Sequence, residues 1–479
     1  MITTELEPRP IFVGGTWATS PDPLVVRNPA NDAGPAGTTY QATAEQYEEA
    51  VEAAVRAFEV TRRSAAYERS AVLRAVSEGV SARRDVLARL IALEVAKPIK
   101  DAYTEVDRTA LAFRLAATEA ERIGGELIPL DLIPSSAGRV GITRRFPIGP
   151  VAAISPFNLP LGLSVHKLAP AMAAGAPIVL KPPSKAPLAL LELGRIIEAA
   201  GAPPGSVSIL PMSRELGDRM VADERFKLLT FTGSPTVGWQ MKARAGKKKV
   251  LLELGGNAGA IIDRTADLDR AAARCTTGAF KFAGQLCVSI QRLIVHEDVV
   301  EAFLARFLRA VAALRLGDPL DEATDIGPMI DRQAVARTGA LVDEAVARGA
   351  RILAGGHPDG VYFPPTVLAD VPPDVRVCTD EAFAPLVVLS TFTDFEAALD
   401  RVNDSAFGLQ AGVFTNDLAH AWAAFERLEV GGVIVNDIPS YRIDHMPFGG
   451  VKDSGQGREG LRWAIEEMTE LRLMVLVPG

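Results

Sequence analysis

Val151-Ala152-Ala153-Ile154-Ser155-Pro156-Phe157-Asn158-Leu159-Pro160 opens the stretch whose reading decides the fold. A short apolar run ends in a Ser-Pro turn. A helical pattern follows over 161–173, and a second apolar run at 178–180 closes the unit. Apolar runs at 207–210, 228–231 and 250–252 repeat the theme, with helical patterns at 188–200, 215–221 and 237–245 between them. Strand–helix alternation of this kind predicts an α/β fold with a parallel, doubly wound sheet. Such sheets bind ligands at the carboxyl ends of their strands, so chemistry is expected in the loops that follow each strand.

Upstream, residues 11–17 read as a short hairpin closed by Gly14-Gly15. From 44 to about 63 the pattern is helical, with Val51, Val55 and Phe58 on one face. Ala-rich helical sequence continues to about 124, interrupted near Lys97-Pro98. Strands near 127–130 and 139–146 mix apolar and basic residues, which suits a hairpin outside the main core. Downstream, residues 255–435 read as a second α/β region, with helices at 268–282, 299–314 and 334–348 and strands at 292–295, 386–392 and 432–436. After a helix near 462–468 comes a strand-like run, 471–477. That run is expected either to pair with another subunit or to dock on its own sheet.

The chain has 479 residues, enough for two to four domains at roughly 100–200 residues each. Apolar residues at 48% and charged residues at 23% exclude a disordered or fibrous chain. A net charge of −8 argues against nucleic acid or an anionic membrane as partner, while leaving room for a local basic pocket. No apolar run approaches the roughly 18–20 residues of a membrane span. Met1 to Glu7 carry no basic, apolar leader pattern. Three cysteines, Cys275, Cys287 and Cys378, suit a reducing compartment, the cytoplasm. With five His and no paired Cys/His spacing, no metal site is expected.

Several residues stand out by their setting. Cys287 lies in Gly284-Gln285-Leu286-Cys287-Val288, between a helix and a strand. It reads either as a thiol presented to a substrate or as a small buried hydrophobe. Glu253 ends an apolar strand before Gly255-Gly256. It is either a general base with a raised pKa or a strand-end carboxylate paired with Lys248 or Lys249. Gly233 and Ser234 sit in a turn that can offer N–H groups to a phosphate at a helix N-terminus, or simply join strand to helix. Asn158 is either an oxyanion donor or a turn-forming Asn. Residues 447–459 hold many glycines, which fit close backbone approaches around a tunnel mouth or a long surface loop.

Taken together and in order, these segments resemble the aldehyde dehydrogenase superfamily. The resemblance rests on Pro156-Phe157-Asn158-Leu159-Pro160, Lys181-Pro182-Pro183-Ser184, Phe231-Thr232-Gly233-Ser234, Glu253-Leu254-Gly255-Gly256, Gly284-Gln285-Leu286-Cys287, Glu381-Ala382-Phe383-Ala384-Pro385 and Pro447-Phe448-Gly449-Gly450. It implies a Rossmann-like cofactor domain (1–123 and 147–253), a second α/β catalytic domain (254–445) and a small β oligomerisation extension (124–146 and 463–479). It further implies Cys287 as nucleophile and Asn158 with the Cys287 backbone N–H as oxyanion hole. Glu253 would activate the hydrolytic water. Lys181 would bind the adenosine ribose, Gly233 and Ser234 the pyrophosphate, Glu381 the nicotinamide ribose, and Phe383 would lie beside the nicotinamide.

Within the superfamily the chain is most similar to the branch of lactaldehyde and non-phosphorylating glyceraldehyde-3-phosphate dehydrogenases. Phe157 before the Asn, Arg108, and the run Tyr441-Arg442-Ile443-Asp444-His445-Met446 point there. Arg108 and Arg442 read as an anion site for substrate or as surface ion pairs. Leu286 stands where phosphate-binding relatives often carry Arg, and Leu159 offers no polar group. NAD-preferring relatives commonly have Glu three residues after the motif Lys. Here Ser184 occupies that position, Lys185 adjoins it, and Arg214 is a further cation. The cofactor is therefore expected to be NADP or NAD, with NADP accepted. The expected reaction is oxidation of a small polar aldehyde to its carboxylate by a homodimer or homotetramer. A CoA-acylating dehydrogenase and a non-catalytic protein keeping the fold are the rival readings.

Overall fold

A computed structural model describes residues 8–31 and 34–477. Met1 to Glu7, on which the leader expectation rests, lie outside the described residues, as do the last two residues of the expected oligomerisation segment 463–479.

The first sheet has eight strands. Its centre is five parallel strands in the spatial order Val207–Ile209, Ile178–Lys181, Val151–Ile154, Leu228–Thr232, Lys249–Glu253. Sequence order therefore reverses beside Val151–Ile154, and that is the switch point where a ligand crevice opens. The register aligns the strand ends there: Ile154 lies opposite Lys181 on one side and Phe231 on the other, and Thr232 opposite Glu253. The predicted hairpin, Ile11–Val13 with Thr16–Ala18, joins one edge. Gly455–Gln456 joins the other edge, antiparallel to Leu252 and Glu253.

The crossover helix Pro160–Ala174 starts at Pro160, where a missing N–H costs nothing, and stops at Gly175, whose φ of +80° suits glycine. It is buried almost all round, including Lys167 and His166.

A second sheet has seven strands, of which six are parallel and only Arg351–Ala354 runs antiparallel at the edge. Strands Ala258–Ile262, Thr366–Ala369 and Gln410–Phe414 belong to it beside the three that periodicity indicates. Helices Leu268–Phe280 and Val300–Ala312 pack against it through Phe280, Phe303 and Phe307, all buried, with ring centroids 5.5 and 6.2 Å apart. Each such ring contributes about 1.5–3 kcal/mol by leaving water. The helix expected to reach 282 stops at Phe280. Lys281 leaves helical geometry, and Phe282, Ala283 and Gly284 follow at φ of +51°, +52° and +66°. Left-handed backbone costs an L-residue roughly 1–2 kcal/mol, so this approach to Cys287 is strained by design of the surrounding packing.

The terminal strand Thr469–Leu476 pairs antiparallel with Val140–Pro147 of its own chain, and Leu127–Pro129 completes a third, three-stranded sheet. The terminal run thus has a partner within the chain, while its outer edge stays open. No helix among the described residues is long and apolar enough to cross a membrane.

Candidate active site

A cavity of about 590 Å³ opens at the switch point, lined among others by Asn158, Gly233, Ser234, Cys287, Glu381 and Phe383. It gathers residues from five of the quoted segments onto one wall system. Phe157 and Phe383 face each other edge to face at 6.0 Å, and Phe383 is itself held at a φ of +50°.

Cys287 packs beside Val288, Leu409 and Phe448. Burial raises its thiol pKa, and the charges of Glu253 and Glu381 raise it further. Cys275 is wholly buried, and Cys378 packs on the main core and makes hydrogen bonds only through its backbone among the described residues. Asn158 is buried, and its side-chain Nδ2 donates to the Gln285 carbonyl at 3.1 Å. A carboxamide nitrogen has a second hydrogen, which is available to an oxyanion beside Cys287.

Glu253 is also buried, and one of its carboxyl oxygens has no hydrogen-bond partner. Burial raises its pKa well above the carboxylate range; the negative charge of Glu459 adds to this, while Arg442 and Lys167 oppose it. It does not pair with Lys248 or Lys249, whose ammonium groups bond the carbonyls of Asp223, Glu467 and Thr469. Glycine makes the approach possible. A Cβ on Gly255 would stand 2.4 Å from a Glu381 oxygen, and one on Gly256 would stand 2.3 Å from the Cys287 carbonyl oxygen. The Gly256 N–H donates to Glu381 at 3.1 Å, and burial pushes the Glu381 pKa up to about 7.

The site fits a nicotinamide dinucleotide. Ser234 caps helix Pro235–Arg244 through its backbone while its hydroxyl makes no capping bond, so the helix N-terminus faces the crevice with its donors. The Lys181 ammonium has no hydrogen bond or ion pair among the described residues, and burial lowers its pKa. Its stem lies on Gly217, where a Cβ would stand 3.3 Å away. Gly217 is one turn into Arg214–Ala222, the helix that Arg214 opens. Ser184 lies apart, exposed on a neighbouring cavity of about 480 Å³ shared with Lys185 and Arg27. Lys185 is ion-paired to Asp331.

A profile described as the aldehyde dehydrogenase family matches residues 17–474. The chain belongs to this family. It is 42% identical over 474 residues, 99% of each chain, to 3-sulfolactaldehyde dehydrogenase of Priestia aryabhattai. Among solved structures it is similar to aldehyde dehydrogenase 21 of Physcomitrella patens bound to its product succinate, with a TM-score of 0.96 and 45% identity over 98% of both chains. It is likewise similar to the NADP complex of the Methanocaldococcus jannaschii glyceraldehyde-3-phosphate dehydrogenase GapN, at TM-score 0.90 and 38% identity over 95% of this chain and 98% of that one. The protein is thus an NAD(P)-dependent aldehyde dehydrogenase, and the branch indicated by its motifs agrees with these relatives.

The two arginines of this aldehyde dehydrogenase occupy different settings. The Arg442 side chain is 9% exposed, stacks on the Phe448 ring at 3.9 Å and bonds Glu459 at 3.1 Å, leaving its Nε without a partner among the described residues. Its guanidinium therefore lies against Phe448, a member of the apolar cluster on which Cys287 packs. Arg108 is partly exposed and bonds Asp444 at 2.6 Å; Asp444 also meets His166 at 3.1 Å. Sequence reasoning passed over Lys167, which is buried and bonds Glu459 at 3.0 Å, Thr232 at 2.7 Å and Thr230 at 3.1 Å. Against the burial that would raise it, Lys167 and Arg442 hold the Glu459 pKa well below the carboxylate range. A His-Lys pair inside an otherwise apolar helical run was the available signal.

Proposed function

We propose that Cys287 attacks the aldehyde carbonyl while Asn158 Nδ2 and the Cys287 N–H stabilise the oxyanion. Lys181, Gly233, Ser234, Glu381 and Phe383 would hold the dinucleotide, with Ser184 and Arg214 toward its adenosine end. When bound, the cofactor accepts hydride. Glu253 then takes a proton from the water that attacks the Cys287 thioester, and the carboxylate leaves. The observation that carries this reading is the buried Glu253 carboxyl with an unpartnered oxygen, set by the Gly255-Gly256 turn beside the Cys287 backbone. A CoA-acylating enzyme needs no such base. In Glu253→Gln, rapid mixing should give a full burst of reduced cofactor followed by a steady state slowed about 10²–10⁴-fold. Wild type should turn over without CoA. An unchanged steady state, or dependence on CoA, contradicts the assignment.

We further propose a short aldehyde with an anionic or hydroxylated end. Arg442, which stacks on Phe448 of the cluster beside Cys287 and whose Nε–H has no partner among the described residues, supports it, with Arg108 nearer the surface. The sulfolactaldehyde, lactaldehyde and succinate named for the relatives share that character. A panel of C3–C4 aldehydes read by cofactor reduction should favour anionic members over uncharged ones by at least about tenfold in kcat/KM, since charge-assisted bonds are worth roughly 1.5–3 kcal/mol. Equal use of butanal would contradict it.

The three sheets support the domain division proposed from the sequence, 1–123 with 147–253 for cofactor, 254–445 for catalysis, and 124–146 with 463–479 for oligomerisation. The open outer edge of Thr469–Leu476 supports a homodimer or homotetramer. The three unpaired cysteines fit a cytoplasmic protein.

A further inference from the structure

Lys97 lies between helices Arg84–Val95 and Ile99–Ala120 and is only 2% exposed. A lysine this deep must be paired. It forms an ion pair with buried Glu105, donates to the backbone carbonyl of Asn158 at 2.8 Å, and sits 4.6 Å from the centre of the Phe282 ring. The other Glu105 oxygen accepts the N–H groups of Leu161 at 2.9 Å and Gly162 at 3.0 Å. The pair therefore holds the backbone of the Asn158 segment at the Asn158 carbonyl and at the first turn of the helix that follows.

Phe282 is the first of the three left-handed residues that lead to Cys287. Its carbonyl accepts from Gln285, both from the backbone N at 3.1 Å and from Nε2 at 3.3 Å, and the Gln285 carbonyl accepts from Asn158 Nδ2. The contacts close a ring: Lys97 to Asn158, to Gln285, to Phe282, and back to Lys97. Stability alone is a weak reason for this arrangement, because apolar residues of similar volume commonly replace a buried ion pair without loss. Every contact of the pair named above falls on the two segments that carry Asn158 and Cys287.

We infer that Lys97, with Glu105, is a positioning residue for the oxyanion hole, fixing the Asn158 amide relative to the nucleophile loop. This rests on the reading of Asn158 as oxyanion donor. Losing such a donor lowers kcat by about 10²–10³-fold, and misplacing it forfeits part of that.

The test is Lys97→Met/Glu105→Gln, in which the glutamine carbonyl keeps an acceptor for Leu161 and Gly162 and no buried charge is left alone. Its burst of reduced cofactor, at saturating aldehyde and NADP, should slow about 10–100-fold, with cofactor affinity within about threefold of wild type. In an Asn158→Ala background the same pair of changes should slow the burst by less than about threefold, because residues acting through one another are non-additive. Lys97→Gln is read by the same comparison if the double variant does not fold. Equal slowing in both backgrounds, or none in the first, overturns the inference. An Asn158→Ala variant with a wild-type burst overturns the oxyanion reading itself. A slow Asn158→Ala beside a normal double variant overturns the inference alone.

Discussion

Burial sets the chemistry of individual residues in this site. Cys287 is pushed up by desolvation and by two neighbouring carboxylates, so in the ligand-free protein it is a neutral thiol at pH 7. The thiolate is the reactive form, and raising the pKa depletes it at neutral pH. Iodoacetamide labelling of Cys287, localised by mass spectrometry, should therefore be slow at pH 7 and climb about tenfold per pH unit above it. A rate that levels off below pH 7 would mean a pre-formed thiolate. Sequence could present Cys287, Glu253 and Asn158 as candidates, because each sits in a loop or at a strand end with a distinctive neighbour pattern. It could not present Lys97 or Glu459, and it marked Lys167 only as a polar residue in an apolar helix. Their importance lies in contacts across 61 and 292 positions of chain, and spacing carries no trace of such partners.

At the level of elements, the central strands of the first sheet announce themselves, whereas several strands of the second sheet and the site-bearing turns do not. The five central strands of the first sheet are short apolar runs, all five of them recognisable from composition alone. The left-handed run at 282–284 is not, since Phe282 and Ala283 are ordinary residues whose φ is imposed by packing. The same holds for the Gly255-Gly256 turn, where pattern shows two glycines and only the fold shows what they touch. There the space is fully used, and that has a measurable consequence. Gly256→Ala would drive a Cβ to 2.3 Å from the Cys287 carbonyl oxygen, a backbone atom that cannot rotate aside. Overpacking of this kind costs typically about 1–3 kcal/mol, and a shift of the nucleophile near 1 Å costs about 10²-fold in rate. Denaturant midpoints should fall and the burst should be lost together. A Gly256→Ala enzyme with normal burst and midpoint would mean that the Cys287 loop yields freely.

Over the whole molecule, two of the sheet edges left open among the described residues stand out. Thr469–Leu476 ends the three-stranded sheet, and Gly432–Val435 ends the seven-stranded sheet. Large exposed apolar side chains gather at both: Leu471, Leu473 and Val475 on the first, and Leu418, Trp422 and Phe425 on the helix Leu418–Arg427 that follows the strand beside the second. An unprotected apolar edge is a template for pairing with another chain, and closed symmetric assemblies are the usual result. The sequence left the terminal strand between two fates; within the chain one edge docks on Val140–Pro147, and no strand among the described residues pairs with the other. Light scattering at micromolar concentration should accordingly give a mass of at least twice the 50.9 kDa of one chain. Leu473→Lys with Val475→Lys places charge on the exposed face of the terminal strand without touching the cavity around Cys287. That pair should lower the assembly mass while the ligand-free chain keeps its fold by circular dichroism. A wild-type mass of one chain, or an assembly indifferent to both lysines, would place the subunit contacts elsewhere or remove them.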